Sequence, residues 1–126
     1  MPLPRAAAAG RLALVRALVA QGADPDALHP AEPRGLQTAL IAAARRGRRA
    51  VVRYLLGLPG LQVNKVNAAG ETALMHAAAY GGLEMAKLLM QNGADPRIID
   101  LKGSTAEHWA VKKGYINMLQ YKLIAK

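Results

Sequence analysis

Apolar positions in this chain recur in blocks, and the blocks are copies of one another. TALIAAARRGRRAVVRYLL begins at Thr38, TALMHAAAYGGLEMAKLLM at Thr72 and TAEHWAVKKGYINMLQYKL at Thr105, so the threonines stand 34 and 33 residues apart. In each copy a glycine follows nine residues after the threonine, at Gly47, Gly81 and Gly114. A shorter copy, AAAAGRLALVRALVAQGADP, puts Gly10 at the same point with no threonine before it. A period of this length marks stacked structural units.

Each unit reads as a helix hairpin. A threonine ahead of an alanine- and leucine-rich run acts as an N-cap, its hydroxyl accepting from an orphan backbone N–H. First helices are therefore expected over roughly residues 39–46, 73–80 and 106–113. Their paired alanines, Ala42 with Ala43 and Ala77 with Ala78, let neighbouring helices approach closely. The glycine then turns the chain. Second helices follow with apolar residues at helical spacing: Val51, Val52, Leu55 and Leu56, then Leu83, Met85, Leu88 and Leu89. Gly22 and Gly93 sit where a left-handed cap ends the second helix, each followed by Ala-Asp-Pro. One hairpin cannot bury its apolar face alone, so the copies must stack. The expected architecture is one all-α solenoid domain over residues 1–126, in units of about 1–30, 31–66, 67–99 and 100–126. YINMLQYKLIAK, with Asn117, Gln120 and Lys122 on its outside, is expected to cap the last unit. The short opening helix is either a minimal cap or the edge of something longer.

The register resembles the ankyrin repeat, with its TPLH-type helix start, paired alanines, mid-repeat glycine, leucine-rich second helix and GAD turn. GETALMHAAAYGGLEMAKLLMQNGADP, from Gly70 to Pro96, is the best copy, with Ala73 in the family's proline place and Met75 in its histidine place. His108 stands in the histidine place of the last copy, after Glu107. The second copy ends in LGLPGLQVN, where Gly60 is expected to supply the turn. The resemblance implies helix pairs joined by β-hairpin-like loops. It also implies a concave binding surface made of the loop tips and the exposed side of the first helices. In this protein the positions before each mid-repeat glycine are Ala8 and Ala9, Arg45 and Arg46, Ala79 and Tyr80, and Lys112 and Lys113. The loop tips add Gln37, Ala68, Ala69, Glu71, Leu101, Lys102 and Ser104. Arg48 and Arg49 fall at the turn, and Arg53 on the solvent face of a second helix.

That places two dibasic pairs roughly 20 Å apart with Tyr80 between them, since packed helices lie about 8 to 10 Å apart. Tyrosine and arginine are enriched in interface hot spots, and arginine binds carboxylate or phosphate with two parallel bonds. The expected partner is an acidic segment of another protein, bound by a monomeric adaptor or steric inhibitor. The charge of +9, from seventeen basic and eight acidic residues, also keeps nucleic acid and anionic lipid open as partners. Against them, the sequence offers no groove-entering element and no series of stacking aromatics.

Other chemistry lacks material. There is no cysteine, which excludes disulfides and thiolate metal sites, and the three histidines show no one-turn pair. No metal, cofactor or catalytic residue is expected. Ser104 is the only serine, and Thr38, Thr72 and Thr105 are the only threonines, already engaged as caps, so the protein is not read as an enzyme. His76 and Trp109, at matching places in successive copies, are expected to pack between first helices. Arg11, Arg16, Arg53 and Lys87 interrupt every long apolar segment, so no transmembrane span is expected. With no secretory signal in view, the expected compartment is cytoplasmic.

Overall fold

Thr38 and Thr72 have extended backbone, and their side chains accept from the N–H groups of Ile41, at 3.1 Å, and Met75, at 3.2 Å. These caps start two of the helices in the computed structural model, which describes residues 2–30 and 36–112. The helices are α1 (Leu3–Ala8), α2 (Leu12–Ala20), α3 (Ala39–Arg45), α4 (Arg49–Leu56), α5 (Ala73–His76), α6 (Leu83–Gln91) and α7 (Ala106–Lys112). Two short strands, β1 (His29–Pro30) and β2 (Leu36–Gln37), pair antiparallel with His29 opposite Gln37. The expected all-α solenoid is what forms. Gly114, Lys113 and the expected closing helix lie outside the described residues.

In two of the copies the position three residues after the threonine closes the cap from the other side. In the last copy His108 Nδ1 accepts the Thr105 N–H at 3.0 Å. Methionine stands there in the preceding copy, and Met75 Sδ accepts the Thr72 N–H at 3.4 Å, so the sulfur takes the place of the ring nitrogen. Thr72→Ala should remove the bond from the Met75 N–H to the Thr72 hydroxyl, at 3.2 Å, and cost about 1 kcal/mol in urea unfolding.

The expected turns form, with one change. Gly10 and Gly47 hold φ of 74° and 72°, and Arg11 and Arg48 each donate backward five residues, to Ala6 and Ala43. In the third hairpin the backbone leaves α5 as a π turn, Ala77–Gly81, and Gly82 follows with φ 92°. The helix expected over 73–80 is thus an α turn continued by a π turn, closed by the bond from Gly82 N–H to Ala77 O at 3.0 Å. Positive φ at Gly22, Gly60 and Gly93 shows that LGLPG turns the backbone as the GAD copies do.

Alanine sets the spacing of the stack. Ala6 and Ala7, Ala43 and Ala44, Ala77 and Ala78, and Ala110 are fully enclosed where α1 packs on α3, α3 on α5 and α5 on α7. Val51, Val52, Leu55, Met85, Ala86 and Leu89 bury the inner side of α4 and α6 beneath them. Side chains also tie each connector to the next. Asp26 accepts from the Gln62 N–H at 3.0 Å, and Asn64 accepts from the Asp95 N–H at 2.8 Å while donating to Gly93 O.

Candidate binding site

The first-helix ends and the loop tips meet between the third and fourth hairpins. Position four after the threonine is Ala42, His76 and Trp109 in successive repeats. The last two rings pack with centroids 5.1 Å apart, the between-helix packing expected of them. Tyr80 stands on the π turn that continues α5, its ring edge-on to Trp109 at 6.5 Å. The Arg45 guanidinium lies over Tyr80 at 4.2 Å, one repeat back. A cation on an aromatic face, beside two further rings, gives this side of the stack a preformed apolar and cationic surface.

Two loop carboxylates support it from below. Asp100 is buried, and its Oδ1 accepts the N–H groups of Lys102 and Ser104, both at 2.9 Å. Its Oδ2 accepts the Trp109 indole N–H at 3.0 Å, which fixes the ring. Burial pushes the Asp100 carboxyl up. The hydrogen bonds from Ser104, Trp109 and Lys102 together outweigh burial and the smaller push from Glu71's charge, leaving it below its ordinary value. Asn67 has the same task one repeat earlier, accepting from Ala69 and Glu71. Glu71 Oε1 takes the Nε2 of fully enclosed His76 at 2.8 Å and the Asn67 amide at 2.9 Å.

These groups frame a cleft of about 330 Å3, lined in part by Tyr80, Trp109, His108, Lys102 and Lys112. Of the expected binding residues, Tyr80, Glu71, Lys102 and Lys112 come together there. Arg45 joins through Tyr80, and Arg46 is exposed at the end of α3. Ala69 is exposed, and its carbonyl accepts the Leu101 N–H at 3.0 Å. Two expectations fail. Gln37 is 3% exposed, because β2 turns Leu36 outward and Gln37 inward, where its carbonyl accepts from the Asn67 amide. Ala79 is buried as well, forming cleft wall instead of exposed helix end. Asp100 was not among the expected site residues, although D-x-x-G-x-T at Asp100 repeats N-x-x-G-x-T at Asn67.

The arginines around the first turns divide their work. Arg46, Arg48, Arg49 and Arg53 are all exposed, and Arg48 in addition donates Nε to the Ala8 carbonyl at 2.9 Å and so closes the end of α1. Among the described residues no three His, Asp or Glu side chains are grouped to hold a metal ion, and no helix is long and apolar enough to cross a membrane.

A family model described as ankyrin repeats (3 copies) matches residues 3–100 and again 58–125. The chain belongs to the ankyrin-repeat family. It is 32% identical over 120 residues to the ankyrin repeat and KH domain-containing protein mask-1 of Caenorhabditis elegans, covering 95% of this chain and 4% of that protein. It is 29% identical over 131 residues to the ankyrin repeat protein nuc-2 of Neurospora crassa, covering 100% of this chain and 11% of the relative. A probable E3 ubiquitin-protein ligase, XBOS32 of Oryza sativa subsp. japonica, is 36% identical over 87 residues, 68% of this chain and 17% of its own length. The chain thus spans a small part of each relative. Ankyrin repeats are generally protein–protein interaction modules without catalysis of their own.

Proposed function

We propose that this ankyrin-repeat domain binds an acidic segment of a partner protein across the face that carries Arg45, Arg46, Tyr80 and Lys112, as an adaptor or by steric blocking. The observation that carries the reading is the Arg45 guanidinium stacked on Tyr80 at 4.2 Å, beside a cleft edged by Lys102 and Lys112. Stacking restricts the arginine before any partner arrives, which lowers the entropy lost on binding. The surrounding rings exclude water and strengthen the attraction for a carboxylate. Lys113 belongs to the same proposal, outside the described residues.

The test is affinity capture from a native lysate at physiological salt, followed by calorimetry with the isolated partner. Arg45→Glu, Arg46→Glu and Lys112→Glu together should weaken binding at least about tenfold, or about 1.4 kcal/mol, with the melting temperature little changed. Unchanged affinity would remove the groove from the account. A second reading, direct binding of nucleic acid or anionic lipid, draws on the exposed Arg46, Arg49 and Arg53 and the charge of +9. Non-specific polyanion binding should fade steeply from low to physiological salt, so capture of nucleic acid that persists at high salt with sequence preference would favour this reading over the protein partner.

A further inference from the structure

The cleft between the third and fourth hairpins presents donors to a ligand while both of its carboxylates already hold protein donors. Both Asp100 oxygens receive protein donors, and Glu71 is held by His76 and Asn67. The Thr105 N–H donates to His108 Nδ1, which places the proton of the neutral ring on Nε2, and the ring is exposed on the cleft wall. Lys102 and Lys112 are exposed on the same cleft, and among the described residues neither forms an ion pair. Ser104 adds a hydroxyl. The remaining wall is apolar, made by Ala79 and the rings of Tyr80 and Trp109.

We infer that this cleft receives a single carboxylate of the partner, either an acidic side group or the partner's terminal carboxylate, with the neighbouring apolar residue against Trp109. The inference rests on the acidic-segment reading and gives that segment an anchor. Charge decides for a carboxylate over a phosphate. The two lysines are offset by Asp100 and Glu71 in the same lining, so a group carrying nearly two negative charges gains little there. A carboxylate brings one charge and two acceptor oxygens to the same ammonium and imidazole donors. The volume, about 330 Å3, lies at the small end of ligand sites and suits one or two residues of a peptide.

Trp109 is the only tryptophan in the protein, so its emission reports on this cleft alone. Four probes are titrated at constant ionic strength: the capped peptide Ac-Gly-Glu-Leu-Gly-amide, its glutamine counterpart, Ac-Gly-Gln-Leu with a free terminal carboxylate, and inorganic phosphate. At least one carboxylate-bearing peptide should change the Trp109 emission saturably below about 10 mM, and the capped glutamine peptide should not. Which of the two binds tells an acidic residue from a terminus. Lys102→Ala, Lys112→Ala and His108→Asn should each weaken the binding at least about fivefold. Asparagine at 108 keeps an acceptor for the Thr105 N–H while removing the Nε2 donor, so an unchanged melting temperature separates contact from helix capping. Lys65→Ala, away from the cleft, should change nothing. Saturation by the capped glutamine peptide, tighter binding of phosphate, or no response to either carboxylate overturns the inference. The groove proposal fails separately, when the partner ignores Arg45→Glu and Arg46→Glu while the small peptides still bind.

Discussion

Asp100→Ala is expected to cost the fold about 3 kcal/mol, because bonds to an ionised acceptor contribute more than neutral ones and their part-buried donors would be left without a partner. Three donors lose their acceptor at once: the N–H groups of Lys102 and Ser104 and the Trp109 indole. Asp100→Asn should be milder, at about 1 kcal/mol, since an amide oxygen can still serve the two backbone groups as Asn67 does one repeat earlier. Its NH2 would face the indole N–H, so the third bond goes. Urea unfolding followed by Trp109 fluorescence measures both variants and reports the freed ring directly. The pH dependence has a definite sign. Asp100 titrates below its ordinary value in the folded protein, so its contribution is complete above that ordinary value and fades as pH falls through the lowered one. Asp100→Asn should remove that portion of the acid-induced loss of stability, and an unaltered acid profile would show that the charge on Asp100 is not what holds the loop.

Ala43→Leu is expected to cost a similar amount, about 3 kcal/mol, by a different route. Ala43 is fully enclosed, and α3 is packed on one side by α1 and on the other by α5. Three added heavy atoms have nowhere to go except between helix backbones that alanine allows to approach. The strain should spread to both neighbours and lower the urea midpoint well below that of Ala68→Leu. Ala68 is exposed on a loop tip, and the same substitution there should stay within about 0.5 kcal/mol. Equal midpoints for the two variants would mean that the stack can open at little cost.

The fold was legible because its signals are periodic and redundant. Threonine, paired alanines and turn glycine recur in register, and each has a local reason that the structure repeats at Thr38 and Thr72. The site was legible only in part. Tyr80, Lys102 and Lys112 follow from the register, since they sit at helix ends and loop tips that the stack leaves on one side. Gln37 misleads because two residues of strand carry no readable alternation, and a polar side chain reads as exposed when its amide is satisfied inside. Ala79 misleads because a π turn changes the residues per turn just before the bend, which a 3.6-residue period does not anticipate. Asp100 could have been found from its spacing to Thr105, which equals that of Asn67 to Thr72.

The forward ties between connectors limit how the array could be lengthened or rearranged. Asp26 and Asn64 occupy the same place, four residues after Gly22 and Gly60, and each offers an oxygen to the unit behind it. Four residues after Gly93 that place holds Arg97, whose guanidinium can only donate. A longer array made by duplicating a unit would therefore need the first or second connector as its template. A copy joined behind the third would meet a cation where its backbone needs an acceptor. The repeats look alike in sequence, yet their order is chemically directional.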